Sequence, residues 1–573
     1  MSKNISPEME MVKAKRREAS RAKWRGRFAK WSWNFVLAEA FLLALHPPAA
    51  TAALLIATVL TVMHFRTDED FKFRQLPFDV PVALFVFLSG VSIMVSPDKG
   101  FSFYNWYNLV GVYVLTYFVV GQNVRSVRQV KELLLVIGMA AVFVLLYGFY
   151  QFIFGIDISA MKWVDGDAFP ELRKRVFSTW ENPNILAGYL DIIICLAFGL
   201  FIKAGTKQKR IVLGGLLAAG AACLAMTYAR GACLVIAVIF AVYGMLKDWR
   251  VLAACVGVAV LLLLADPVLY ERLTSVFTKV DTSSEMRLAF WESTVAMIQD
   301  HPFLGIGWGA YWMVYPEYDF YLQGADIRIV HAHNMYLNYA AEIGVPGMLA
   351  FMWLFFGSLF MALRQKFAAP QPVIPAPTPF DYNEDAAADV ELKKVADSVQ
   401  VEEEKPETPI WQDFIEWPDW RLLAGASAGL GLALISIALN GLTDHLLFNI
   451  PSSMFLWLML AFIAAVAELK REKDAEGAAD AEKEAEKEAD APREVPAFLE
   501  AELKAEELPK VQSEVQPKEQ EAEPASAEKE AETEAEAAPE ESTETDGAEA
   551  EETIEKEEAG TDEKSDNHIK GDH

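Results

Sequence analysis

The sequence predicts an all-α fold: a polytopic membrane bundle of about twelve transmembrane helices, with external loops carrying short interfacial helices. Three observations predict it. Hydrophobic residues make up 53% of the 573. Apolar runs long enough to cross a bilayer recur along most of the chain. The net charge of −28 is almost confined to one end, because Asp474 to His573 holds 36 acidic and 10 basic residues. What remains is near neutral, apolar and rich in aromatic residues, which excludes an ordinary soluble enzyme.

A helix needs about 20 apolar residues to cross the hydrocarbon core, since no water there can satisfy its backbone groups. Runs of this kind predict spans near 31–47, 49–65, 77–95, 103–121, 131–154, 183–203, 211–229, 231–247, 251–270, 335–363, 421–440 and 450–468. His46, Pro47 and Pro48 mark a tight turn between the first two. Lys and Arg are held on the cytoplasmic side, so the basic leader at residues 1–30, with Arg16, Arg17, Arg21 and Arg25, stays inside. Alternation from there places the basic edges at Arg74, Arg125, Lys209, Lys247, Arg364 and Lys470 on that same side. Both termini are therefore expected in the cytoplasm. No small-residue cleavage site follows the first apolar run, so the leader is not expected to be a secretory signal.

The domain plan follows. Spans one to nine occupy 31–270, a large external loop 271–334, the tenth span 335–363, and the last two spans 421–468. Residues 364–420 hold a proline cluster followed by acidic residues, and 469–573 form the acidic tail; both are expected to be cytoplasmic and disordered, or for the tail a fluctuating helix. Cys195, Cys223, Cys233 and Cys255 lie far apart inside apolar runs and suit small core residues. In the external loop, Met286, Phe290, Trp291, Val295 and Ile298 recur at helical spacing, which suits a helix on the bilayer surface or one that only roofs the bundle.

Residues on the external face carry the chemistry. Arg230 closes one apolar run and opens the next, and a solitary arginine there would simply snorkel to the interface. It is accompanied on the same predicted face by Arg173, Lys174, Arg175, Arg287 and Arg328. Planar guanidinium groups bind diphosphate oxygens in pairs without a metal, and a lipid-linked diphosphate is the natural anion at this depth.

Val330-His-Ala-His-Asn-Met-Tyr-Leu337 directly precedes the tenth span. Its histidines, His331 and His333, could bind zinc, but no third ligand has convincing spacing and no metal is expected. A general base is the second reading, since an imidazole's ordinary pKa is about 6.5. A third is structural, with His333 capping a helix or bonding a loop carbonyl. Glu181-Asn-Pro-Asn-Ile-Leu-Ala187 predicts an N-cap at Asn182 with proline in the first turn. Asp300-His-Pro-Phe-Leu-Gly-Ile-Gly-Trp-Gly309 follows no strand and precedes no lysine, so a tight re-entrant turn is expected there and not a nucleotide phosphate loop.

Taken together, four segments resemble the O-antigen ligase and polymerase superfamily of bacterial membrane proteins. They are Arg175 to Ala187, Thr227-Tyr-Ala-Arg-Gly231, Arg287 to Trp291 leading into Asp300 to Gly307, and His331 to Leu337 followed by Glu342-Ile-Gly344. They lie in the expected order over roughly residues 170–350. The resemblance implies a GT-C-like, metal-independent glycosyltransferase with its site on the periplasmic face of the bacterial inner membrane. Such enzymes move a glycan from undecaprenyl diphosphate to an acceptor hydroxyl, usually with inversion. It places the catalytic roles on Arg230, Arg287 and His333. Arg175, Arg173, Asn334, His331 and Arg328 are candidates for substrate binding.

No cofactor is expected, and the expected partners are the lipid-linked donor, a lipid A-core or glycan acceptor and the bilayer, with no nucleic acid. Two departures stand out: Phe177-Ser178 occupies a place where the family commonly has glycine, and Ala229 one where serine is frequent. Ligase, polymerase and protein glycosyltransferase share this chemistry and differ in the acceptor. An anion transporter is the reading from another class, but no inverted repeat is evident and the polar residues gather on one face.

Overall fold

The computed structural model describes residues 7–155, 175–265, 270, 282–321, 329–367, 369 and 416–490, and every regular element among them is helical. In chain order the helices are α1 Pro7–Leu42, α2 Pro47–Thr67, α3 Asp79–Ser92, α4 Lys99–Trp106, α5 Val114–Asn123, α6 Val127–Phe154, α7 Pro183–Lys203, α8 Lys207–Met226, α9 Arg230–Leu246 and α10 Trp249–Ala265. Then come α11 Thr282–Asp300, α12 Tyr311–Val314, α13 Met335–Arg364, α14 Asp419–Asn440 and α15 Ile450–Asp490. Arg173, Lys174, Arg328, most of the proline-rich insertion and the tail beyond Asp490 lie outside the described residues.

Seven helices, α2, α6, α7, α8, α13, α14 and α15, are long and apolar enough to cross a membrane, and α3, α9 and α10 are shorter apolar helices. This is a multi-pass membrane protein. Exposed Val59, Phe87, Ile153, Leu246 and Leu264 give these helices an apolar exterior, which a bilayer tolerates and water does not.

Helix α7 is the spine of the bundle, buried along nearly its whole length. It crosses α14 at glycines: a Cβ at Gly199 would stand 2.2 Å from the Gly429 nitrogen, and Gly425 backs onto Gly199 as well. Small residues let two backbones approach this closely, and dispersion then holds helices that have no hydrophobic drive to associate within lipid.

Three segments differ from a plain hydropathy reading. The expected span 103–121 is divided into α4, a π-turn over Tyr107–Gly111, and α5. The Asn105 and Asn108 side chains donate to the carbonyls of Phe101 and Tyr104, at 3.0 and 2.8 Å, and so compete with the regular ladder. Helix α13 is broken at Gly344, where φ is +71°, with Pro346 just beyond. Helix α15 runs past the expected end at 468, through residues of high helix propensity, to Asp490.

The periodicity in α11 is also turned. Met286 and Val295 are exposed, whereas Phe290, Ser293, Thr294 and Met297 form the buried face. Thr294 bonds the Tyr311 hydroxyl at 2.8 Å, and Phe290 and Met297 pack with Tyr311, Tyr315, Ala332 and Ala341. Two small hydroxyl residues thus sit on the packed face, Thr294 with local partners, and the apolar periodicity does not mark that face.

Candidate functional site

Two motifs separated in sequence are joined by backbone hydrogen bonds. Ile306 N and Gly307 N donate to the carbonyls of Ala341 and Glu342, at 2.8 and 3.0 Å, and Val345 N donates to Pro302 O at 2.8 Å. Gly309 N completes the seam by donating to Glu342 Oε2 at 2.9 Å. The contact requires glycine: Gly305, Gly307, Gly309 and Gly344 all have positive φ, and a Cβ at Gly344 would stand 2.2 Å from the Phe303 carbonyl oxygen. The break in α13 therefore receives the 302–309 turn, which docks α11, carrying Arg287, against the helix that begins beside His333.

His333 lies immediately before α13. Asn334 is the N-cap, accepting from Tyr336 N and Leu337 N at 3.0 Å each, while its Nδ2 donates to Leu442 O at 3.0 Å. Ala332 N donates to Asn338 Oδ1 at 3.0 Å, and Met335 N to Gly441 O at 2.8 Å. These bonds fix His333 in a left-handed conformation, φ +49°. Its Nδ1 faces Asp444 Oδ1 at 3.2 Å, and its ring stacks on Phe290 with centroids 5.8 Å apart. Phe290 is three residues beyond Arg287 on α11, so the two share one side of that helix.

His331 is buried and lies beneath His333, its Nδ1 accepting from His333 N at 3.2 Å. Burial keeps the His331 imidazole neutral, with the Arg287 cation acting in the same direction and the Asp444 carboxylate against it. Arg287 therefore lies within electrostatic reach of the histidines. Burial works to raise the pKa of Asp444. The hydrogen bond with His333 and the His445 N–H at 2.8 Å outweigh it and hold the carboxyl below its usual range. Burial pulls the neighbouring His445 down to about 4.

On the far side, Arg175 donates from Nε to Thr227 O at 2.7 Å and from Nη2 to Asn184 Oδ1 at 2.6 Å. It clamps the turn that leads into Arg230, the half-buried first residue of α9. The next residue, Gly231, abuts Thr443: a Cβ there would be 3.8 Å from its Oγ1. The Arg230 segment and the Asp444 loop are thus neighbours.

The four non-glycine residues with positive φ among those described are Ser178, Glu181, Tyr228 and His333, and all fall in these motifs. Such conformations cost on the order of 1–3 kcal/mol each and persist only where surrounding bonds over-determine them. Ser178 shows how: its N–H donates to Gln151 Oε1 and its Oγ to Val144 O, both at 2.7 Å, so a serine holds a geometry natural to glycine.

Asp444 is the residue that motif reading missed. It also supplies the third donor that the histidine spacing lacked, since ligand atoms of His331, His333 and Asp444 lie within 4.8 Å of one another and such a trio could hold a metal ion. The hydrogen bonds argue for another use: His331 Nδ1 accepts from the His333 backbone and His333 Nδ1 meets Asp444, so these inward-facing atoms already have partners. A usable signal existed. Thr443-Asp-His445 falls between the last two expected spans, on the face expected to carry His333.

Residues 215–352 match the family model described as O-antigen ligase. That stretch contains Arg230, Arg287, His331, His333 and Asn334; Arg175 and Asp444 lie outside it. No curated protein matches the chain.

Proposed function

From membership of the O-antigen ligase superfamily, we propose that this protein is an inner-membrane glycosyltransferase. It moves a glycan from undecaprenyl diphosphate to an acceptor hydroxyl, that of the lipid A-core, at the periplasmic face. Twelve spans and two cytoplasmic termini are part of the proposal. The observation that carries it is the 3.2 Å contact between His333 Nδ1 and Asp444.

A carboxylate accepts a hydrogen bond from Nδ1–H, which leaves Nε2 as the basic nitrogen of a neutral imidazole. In the proposed step the acceptor oxygen attacks the anomeric carbon as the bond from that carbon to the diphosphate oxygen breaks, with inversion. The acceptor proton passes to His333 Nε2, and Asp444 stabilises the imidazolium that results. The leaving undecaprenyl diphosphate takes the bonding electrons. Arg230 and Arg287 stabilise the charge growing on it, so no metal is needed for that task. Arg175 acts one layer back, through the turn it clamps before Arg230. His331, neutral and buried, supports His333 from below. Arg173 and Arg328 remain proposed donor contacts, and Asn334 acts chiefly as the cap that sets His333.

The polymerase reading uses the same donor with another lipid-linked repeat as acceptor. Deleting the gene and examining lipid-linked glycans separates them: accumulated long chains support a ligase, single repeats a polymerase, and an unchanged pool discredits both.

A further inference from the structure

The chemistry above makes no use of Asp191, a completely buried carboxyl on α7. A charge at such a position is expensive and calls for a reason. Its Oδ2 accepts a hydrogen bond from Asn440 Nδ2 at 2.8 Å, and its Oδ1 has no hydrogen-bond partner. Asn440 is the last residue of α14, and its carbonyl accepts from Thr443 N at 3.0 Å and Asp444 N at 2.9 Å. One side chain thus joins Asp191 to the turn that delivers the partner of His333.

The same face of α7 makes two further contacts, one with Leu446 just beyond that turn and one with Arg175. Asn184, Gly188 and Asp191 are spaced i, i+4, i+7 and stand in a row. Gly188 leaves room for Leu446: a Cβ there would lie 2.5 Å from Leu446 Cδ1. Asn184 meets the Arg175 guanidinium. We propose that Asp191 is a positioning residue for glycosyl transfer, acting through Asn440 to set the 441–444 turn so that Asp444 meets His333, while α7 registers Arg175 through Asn184. This rests on the reading of His333 as the base.

The test is a double-mutant cycle on the full-length protein in membranes, with transfer from a lipid-linked donor as readout. Asp191→Ala should lower kcat about tenfold or more, the scale on which a small misplacement acts, with KM for the donor nearly unchanged. Asp191→Asn keeps an acceptor oxygen for Asn440 and should retain turnover within about threefold. In an Asp444→Asn background Asp191→Ala should cause no further loss. Additive losses, or an Asp191→Asn variant as inactive as the alanine, would overturn the inference.

If Asp191→Ala fails to insert, the exchange Asp191→Asn with Asn440→Asp decides, since it reverses donor and acceptor. An exchanged pair more active than Asn440→Asp alone supports the inference, and one no more active overturns it. The two claims fail separately. Full turnover by His333→Ala removes the base reading, whereas additivity alongside an inactive His333→Ala removes only the role of Asp191.

Discussion

The carboxylate of Asp444 meets Nδ1 of His333 across 111 residues of chain, at 3.2 Å. If that contact sets the tautomer of a base, the two side chains are unequal in what they contribute. His333→Ala should lower turnover by about 10²–10⁴, the usual contribution of a positioned base. Asp444→Asn preserves shape but lets an amide face Nδ1, and should cost a smaller part of that loss. Both variants should insert normally. Transfer assays at matched protein levels check this, and near-normal turnover by His333→Ala removes it from the mechanism.

Stability should depend on pH through His445. Its folded pKa, about 4, is depressed from 6.5, so the fold holds the neutral ring. Above pH 6.5 both folded and unfolded states are neutral and the group has no effect. As pH falls from 6.5 to 4 the unfolded chain binds the proton first, and the fold loses stability, by about 3 kcal/mol at the limit. Asp444 is depressed in the same direction but acts in a lower window: it contributes stability above its ordinary carboxyl range and loses that only as pH falls below it. His445→Phe should therefore reduce the fall of the thermal midpoint between pH 6.5 and 4, the buried His331 supplying a further part of it. A midpoint with the same slope in the variant would show that another group is responsible.

Because His331, His333 and Asp444 could hold an ion, the metal-free reading makes a direct prediction. Exhaustive chelation of the purified protein should leave turnover unchanged, and added zinc should inhibit if it captures the histidines. Loss on chelation that zinc restores would reassign all three as ligands.

Hydropathy found the seven helices long and apolar enough to cross a membrane because a span must satisfy its own backbone, which leaves a long apolar record in sequence. Arg230 and His333 stand out in the sequence for the opposite reason, being polar groups at the ends of apolar runs, and Arg287 stands out within an amphipathic stretch of the external loop. Asp444 shows in sequence only as a polar residue between the last two expected spans, since its contact with His333 depends on the folding of α14 beside α13. The packed face of α11 does not show in the apolar periodicity because Thr294 pairs with Tyr311 there, and hydrogen bonding of that kind has no periodicity to count. The break at Gly344 likewise depends on a partner, the 302–309 turn, that lies elsewhere in the chain.

That seam gives the fourth prediction. Gly344→Ala places a Cβ 2.2 Å from the Phe303 carbonyl oxygen, at a φ of +71° that side chains rarely adopt. Strain and clash together should cost several kcal/mol, on the order of 3 or more. The 302–309 turn would detach and carry α11 and Arg287 away from His333. Increased proteolysis near Gly305, together with lost transfer, is the expected pattern. A variant with the parental thermal midpoint would mean that the seam is not what holds α11 in place.

The last prediction concerns where the chain can be shortened. Cutting after Lys473 was the natural choice from composition, because acidity dominates beyond it. Helix α15 continues through that point, and its polar end is engaged: buried Arg74 lies 3.0 Å from Glu472 and 3.9 Å from Glu468, and donates to Val124 O at 2.9 Å. Lys473 pairs with Asp419 at 2.7 Å, an exposed contact of little consequence. A cut after Lys473 keeps these contacts but ends α15 within the helix, whereas removing residues 491–573 leaves the whole helix and should spare both transfer and thermal stability. Glu468→Gln with Glu472→Gln instead leaves a buried guanidinium without its charge partners, a change that typically costs about 3–5 kcal/mol. The truncation should unfold with the full-length protein and the double glutamine variant well before it. Equal midpoints for all three would show that Arg74 is satisfied by carbonyls alone.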